Sequence, residues 1–335
     1  MREAMFYERE GKGLRCRLCE HQCLISEGRS GICGTRENRG GVLYSRVYGK
    51  IVAEHIDPIE KKPLFHVLPG SLSYSIATMG CNFRCQHCQN ASISQIPKNL
   101  PADLPGVNRS PEAVVRMALE QDCRSISYTY VEPTVFFEFA YDCSVLAAAR
   151  GLKNVFVSNG YMSREAAEML APVLTAINID IKAFSDEFYK KVCGARLQPV
   201  LDTVRTMREL GVWVEATTLI IPGLNDSRTE LQGIASFLAE TDKTIPWHVT
   251  AFYPAHLMQD VPPTPRASLQ LARQIGVDTG LDFVYEGNIR AGGEDTLCPA
   301  CGSLLISRAG FSILKNRLAD GCCPDCGANL PGIWN

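Results

Sequence analysis

Between residues 73 and 288 the chain alternates short runs of β-branched and aromatic residues with longer stretches whose apolar positions recur every three or four residues. SYSIATM (73–79), RSISYTYV (124–131), NVFVSNG (154–160), AINIDIKAF (176–184), VWVEATTLIIPG (212–223), WHVTAFYP (247–254) and DFVYEGN (282–288) have the composition of strands. The intervening stretches 111–122, 133–150, 163–172, 198–210, 226–240 and 266–277 carry helical periodicity, and the first opens on Ser110-Pro111, a helix-start signal. Strands separated by helices of this length predict parallel pairing with crossover helices. About six such units predict an α/β fold, a partial (βα)6 barrel instead of a closed eight-fold one. Chemistry in such barrels gathers at the carboxyl ends of the strands.

The regions flanking this pattern are rich in cysteine. The chain has 335 residues, 36.9 kDa and 46% hydrophobic residues, enough for one large core and small appendages. This organisation divides it into an N-terminal Cys-rich module and linker (1–70), the barrel (71–290) and a C-terminal module (291–335). A net charge of −2 offers no basic field for nucleic acid or anionic membranes. No signal peptide opens the chain and no run of 18 uncharged apolar residues follows, so a soluble, cytoplasmic protein is expected. Eleven of the fifteen cysteines are clustered, and in a reducing compartment such clusters point to metal and not to disulfides. Cys123 and Cys143 stand apart in apolar helical surroundings and read as small buried hydrophobes.

Three cysteine groups emerge. Cys81, Cys85 and Cys88 share one loop after the first barrel strand, where a carboxyl-end site belongs. An iron–sulfur cube ordinarily takes four cysteine ligands, so three suggest an iron left open for a small molecule; a zinc loop is the alternative. Cys298-Pro-Ala-Cys301-Gly and Cys323-Pro-Asp-Cys326-Gly are two knuckles separated by 21 residues. Their four thiolates suit a structural zinc that lets a small module fold, with rubredoxin-like iron as the competitor. Cys322 reads as a neighbouring thiol without a role. Cys16, Cys19, Cys23 and Cys33 are too irregular for a plain pair of knuckles, and both zinc and a second iron–sulfur cluster are chemically reasonable, zinc being slightly favoured.

The motifs GCNFRCQHCQNASIS (80–94), YTYVEPT (128–134), SNGY (158–161), DIKAF (180–184), CRLCEHQCLISEGRSGICGTREN (16–38), DPIEKKPLFHVLPG (57–70) and LPGIW (330–334) together resemble the radical S-adenosylmethionine (SAM) enzyme of the AmmeMemoRadiSam system, a branch of the radical SAM superfamily near the pyruvate formate-lyase activating enzymes. The resemblance implies a radical SAM barrel whose [4Fe-4S] cluster on Cys81, Cys85 and Cys88 binds and reductively cleaves SAM to a 5'-deoxyadenosyl radical. It further implies a reductant such as flavodoxin or ferredoxin, and Memo-like and AMMECR1-like proteins as pathway neighbours. One departure is His87, where the superfamily often has an apolar aromatic residue that would cover the adenine face.

The resemblance also assigns residues. Glu132, followed by Pro133, would meet the SAM amino group, a charge-assisted pairing, and Ser158, Asn159 and Gly160 would reach its ribose or carboxylate. Asp180 and Lys182 share an inward strand face and would lie beside SAM and substrate in binding and catalytic roles. Glu215, Thr217 and His248 would complete the cavity, Glu215 toward the cofactor and His248 as an acid or base. Lys61, Lys62 and His66 lie on the segment leading into the barrel, near the cavity or in a solvated basic turn. A glycyl-radical activase acting on a partner protein is the alternative function, weakened by the zinc-ribbon tail. A purely binding zinc-ribbon protein would leave the three-thiol loop without a purpose.

Overall fold

The computed structural model describes residues 1–96, 104–289 and 292–335, so the boundary expected at 290/291 lies outside the described residues. Its centre is one eight-stranded sheet in the order β8-β7-β6-β5-β4-β3-β2-β1. The strands are β1 (Ala53–Pro58), β2 (Leu72–Ala77), β3 (Ser125–Tyr128), β4 (Lys153–Ser158), β5 (Ala176–Asp180), β6 (Trp213–Ile220), β7 (Trp247–Ala251) and β8 (Val284–Gly287). All neighbours pair in parallel except β1, which is antiparallel to β2. The crossovers carry α1 (Pro111–Glu120), α2 (Phe137–Ala149), α3 (Arg164–Leu170), α4 (Leu197–Glu209), α5 (Arg228–Asp242) and α6 (Arg266–Asp278). The six predicted strand–helix units are therefore present, closed by a seventh parallel strand.

Local chemistry accounts for the boundaries. Ser110, Ser163 and Ser227 cap α1, α3 and α5 by accepting the amides of Ala113, Ala166 and Glu230, satisfying donors that lack intrahelical partners. α2 buries Phe137, Phe139, Ala140, Cys143 and Ala147, the two phenylalanines against Phe6 and Tyr48 of the N-terminal region, and Cys123 and Cys143 are buried apolar fillers as expected. β3 is buried at every position, the condition that a parallel sheet covered on both faces imposes.

The segment expected to be linker is structural. β1 forms the sheet edge, and residues 59–68 then turn beneath the strands, burying Ile59, Leu64, Val67 and Leu68 against Val155, Ala176 and Trp213. The N-terminal module comprises two small antiparallel sheets, Tyr7–Glu10/Gly13–Cys16/Leu24–Ser26 and Arg2–Glu3/Val42–Ser45/Arg36–Arg39. It docks onto α2 through a buried Arg36–Glu138 ion pair, both side chains only 2% exposed. The C-terminal module is a three-stranded sheet, Thr296–Leu297/Leu304–Ala309/Ser312–Asn316, whose core is little more than Leu305, Ile306, Leu330 and two cysteines.

Candidate functional site

At the carboxyl ends of the strands lies a cavity of about 520 Å³. The loop after β2 contributes Cys81, Cys85, His87 and Cys88 to its lining; the loop after β3 contributes Glu132, β4 Ser158, β5 Asp180, β6 Thr217 and Leu219, and β7 Thr250. Asn159, Lys182, Lys61 and Lys62 complete much of the wall. Five of the six expected residues on the second to fourth parallel strands thus meet the three cysteines. Gly160 does not line the cavity: its φ of +70° and the 2.8 Å approach of a built Cβ to Ile179 assign it to the turn.

Glu132 holds this end together. Its Oε1 accepts from the Thr134 amide (3.0 Å), the Thr134 hydroxyl (2.5 Å) and the Ser158 hydroxyl (2.9 Å), and its Oε2 accepts from the Asn159 amide (2.7 Å). Burial pushes its carboxyl pKa upward, and these donors oppose the shift. Asn159 in turn donates from Nδ2 to Asn82 Oδ1 at 2.7 Å, fixing the end of β4 to the cysteine loop. Lys182 Nζ donates to Asp180 at 2.9 Å. Burial would depress the ammonium, but Asp180 and the sulfurs of Cys85 and Cys193 hold its pKa well above the usual value.

Behind and beside this wall lie residues, Cys193 and Asp57 among them, to which the sequence assigned no role. Cys193 lies behind Cys85, whose pKa its thiol lowers by hydrogen bonding, and the turn Tyr189–Cys193 accepts backbone bonds from Arg84 and Gln86 of the cysteine loop. Asp57 at the end of β1 receives Lys61 at 2.8 Å, Lys62 at 2.6 Å and the Tyr130 hydroxyl. Burial lowers Lys62 to about 8, and its ammonium stands 4.8 Å over the Tyr130 ring. Tyr130 joins this local cluster across 73 positions, and Lys62 is buried at the cavity edge while Lys61 stays exposed. His87 is lowered to about 3, by burial and then by the charge of Lys182. Its Nδ1 and Thr217 Oγ1 are both buried without a hydrogen-bond partner.

The expectation for Glu215 and His248 requires correction, because neither lines this cavity. They sit one layer deeper, 0% and 2% exposed, under the segment that returns beneath the sheet. Glu215 accepts from the amides of Phe65 (3.0 Å) and His66 (2.9 Å), from Trp213 Nε1 (3.1 Å) and from His248 Nε2 (2.6 Å). Burial would raise its pKa, but the His248 hydrogen bond and charge keep it below the ordinary carboxylate value. His66 is likewise in this floor, bonded through Nδ1 to Pro331 O (2.8 Å) and through Nε2 to the Tyr285 hydroxyl (2.7 Å). Inward period-two spacing located the face correctly and the depth wrongly, since both layers share that spacing.

The cysteine groups differ in geometry. Among the described residues, only Cys298, Cys301, Cys323 and Cys326 bring three or more ligand atoms within 4.8 Å of one another. The Cys298–Cys326 and Cys301–Cys323 sulfurs are each 3.7 Å apart, close to the edge of about 3.8 Å for a tetrahedron with metal–sulfur bonds near 2.3 Å. Cys322 lies outside this group. Cys16, Cys19, Cys23 and Cys33 instead surround a separate small cavity with His21, Asn82 and Arg36. No helix among the described residues is long and apolar enough to cross a membrane.

Comparison with known proteins agrees with this geometry. The sequence profile of the Radical SAM superfamily matches residues 75–235, from β2 into α5. An uncharacterized protein of Methanocaldococcus jannaschii is 47% identical, over 98% of this chain and 99% of its own length. A pyruvate formate-lyase-activating enzyme of Streptococcus mutans is 22% identical over 59% of this chain and 81% of its own. Among solved structures, Streptococcus suis SuiB bound to S-adenosylmethionine superposes with a TM-score of 0.52 at 12% identity, covering 69% of this chain and about half, 53%, of SuiB; at that identity the likeness concerns the fold.

Proposed function

The chain belongs to the Radical SAM superfamily, and on that premise we propose that it binds SAM in the carboxyl-end cavity and cleaves it reductively to a 5'-deoxyadenosyl radical that acts on a further substrate. The observation that carries this reading is the convergence of Cys81, Cys85 and Cys88 with Glu132, Asp180 and Lys182 on one cavity. Three thiols fit a [4Fe-4S] cluster with one iron left for a ligand. Such a cluster, when bound, supplies the electron that breaks the SAM sulfur–carbon bond.

The protein's own residues do the rest. Glu132 organises Ser158 and Asn159 and offers the remaining lone pair of Oε2 to the SAM ammonium. Asp180 and Lys182 border the space left for substrate, and His87 presents a ring nitrogen where an apolar side chain would make no hydrogen bond. Cavity walls keep water from the radical. The electron comes from a low-potential protein donor such as flavodoxin or ferredoxin. The C-terminal thiols hold one tetrahedral zinc, with iron the competitor. The resemblance of seven motifs supports membership of the AmmeMemoRadiSam system, and with it Memo-like and AMMECR1-like proteins as pathway neighbours.

Anaerobic reconstitution with iron and sulfide, reduction and addition of SAM test the reading. Formation of methionine and 5'-deoxyadenosine supports it, and their absence from protein whose cluster is present by its spectrum overturns it. A glycyl-radical activase remains the second reading, favoured by relatives such as the S. mutans enzyme. A glycyl radical arising in a partner protein during the same reaction would select it.

A further inference from the structure

We infer that Cys16, Cys19, Cys23 and Cys33 hold a second iron–sulfur cluster, which passes single electrons to the cluster on the central cysteine loop; the inference rests on the radical SAM reading above. The chain contains its own geometric standard. Where four thiols serve a single ion, at the C-terminus, they are drawn together with sulfur pairs 3.7 Å apart. The N-terminal four face one cavity, yet no three of them come within 4.8 Å among the described residues. The central three behave in the same way. A cube spreads its ligands because each thiolate binds a different iron, so the N-terminal group has the spacing class of the cluster loop and not that of the single-ion site.

The surroundings of these thiols suit a redox centre. Arg36, buried and paired with Glu138, donates from Nη1 to Cys16 Sγ at 3.2 Å. A cationic donor on a ligand sulfur stabilises the more negative, reduced state of a cluster and so tunes its potential. Leu18, Ile25 and Val135, all buried, complete an apolar lining on the inner side of the site.

The two cysteine groups also share a wall. Asn82, between Cys81 and Phe83, lines the N-terminal cavity while Cys81 lines the central one. His21 Nε2 lies 2.7 Å from the Asn82 carbonyl, and Arg84 donates to the Ile32 carbonyl. Gly80 approaches the other side: with φ +102°, a Cβ there would stand 3.1 Å from the Cys33 carbonyl oxygen and 2.4 Å from Thr35. Each loop is therefore built against the other through a few bonded atoms, and a zinc ion in the N-terminal site would have no use for that proximity. In the step itself, one electron enters from a flavodoxin or ferredoxin class donor, crosses to the central cluster and is consumed in breaking one sulfur–carbon bond of SAM. Methionine leaves, and the resulting carbon radical takes a hydrogen atom from the nearest C–H donor.

Electron counting on the intact protein tests this. Anaerobically reconstituted protein is reduced with dithionite, freed of excess reductant and mixed with SAM without substrate. With both clusters storing an electron, about eight irons and about two 5'-deoxyadenosines per chain are expected. The variant C81A/C85A/C88A should keep about four irons and an electron paramagnetic resonance signal on reduction. Yields of about one 5'-deoxyadenosine, or a variant whose iron is gone and whose zinc is doubled, overturn the inference. No 5'-deoxyadenosine from wild-type protein with its full iron content overturns the radical SAM reading instead, and the variant's iron then still decides the identity of the N-terminal centre.

Discussion

On β5 and β6, Asp180 and Thr217 look onto the cavity, whereas two residues earlier on the same face Asn178 and Glu215 are sealed under Pro63, Phe65 and His66. Buried atoms without partners occur in both layers, His87 Nδ1 and Thr217 Oγ1 above and Asn178 Oδ1 below, but the Glu215 carboxylate at the centre of the floor takes four donors. A buried polar group left open costs free energy that a ligand can recover, and one fully bonded stabilises the fold alone. The difference teaches that inward polarity marks function only where nothing in the chain covers it. The two layers can therefore be separated by experiment: changes above should alter chemistry at constant stability, and changes below should do the reverse.

The largest effect belongs to the upper layer. Replacing Cys81, Cys85 or Cys88 by Ala should reduce 5'-deoxyadenosine formation to background with the melting temperature little changed, measured by product analysis and calorimetry. Next comes Glu215→Ala, which leaves His248 Nε2 and two backbone amides facing a void. Breaking a buried, hydrogen-bonded pair of this kind costs about 3–5 kcal/mol, to be read from denaturant midpoints. SAM cleavage per folded molecule should stay within about twofold. Loss of cleavage without loss of stability in Glu215→Ala would dissolve the distinction between the layers.

The fold was legible because parallel strands buried on both faces leave long apolar runs, and crossover helices leave the three-to-four period between them. The cysteine groups were legible because their members lie close along the chain, and the structure gathers each at one place. The floor was not, because His66 meets Pro331 across 265 positions, and no local pattern in HIDPIEKKPLFHVLPG says that it turns under the sheet. The same holds for Tyr130 beside Asp57, and for Cys193 behind Cys85. In each case the neighbours are brought together by the fold, so residue type alone left a histidine of the floor indistinguishable from one of the cavity.

Glu132 sharpens the comparison, since it is bonded like a floor residue but lines the cavity. Its Oε2 receives only the Asn159 amide, leaving a lone pair for the SAM ammonium. Glu132→Gln keeps the shape and removes the charge, so SAM affinity should fall by roughly 1.5–3 kcal/mol, measured by titrating SAM against the cluster signal. A full wild-type affinity would place Glu132 with the floor.

The smallest effect concerns pH and the attachment of the C-terminal module. His66 is lowered to about 4 by burial, opposed by Glu215 and reinforced by Arg308 and His248. As a neutral ring it donates from Nδ1 to Pro331 O and accepts at Nε2 from Tyr285, whose hydroxyl pairs with Thr296 beside Arg308. Protonation would place a second donor against the Tyr285 hydroxyl in a fully buried site. Because the folded pKa lies below the ordinary 6.5, the unfolded chain takes up the proton first. Stability from His66 is then complete above about pH 6.5 and drains as pH falls toward about 4. Between about pH 7.5 and about pH 5.5 the loss should be about 1.4 kcal/mol. His21 and His87 are also lowered by burial, so wild-type stability alone cannot isolate the floor. The informative quantity is the difference between wild type and His66→Gln at each pH, since the other histidines cancel in it. The variant should be less stable at neutral pH, and its deficit should shrink by about 1.4 kcal/mol on acidification, with tryptic release of the tail following the same trend. A deficit independent of pH would mean that the His66 proton is not excluded by the floor, and that this layer is held by packing instead of by its hydrogen-bond chain.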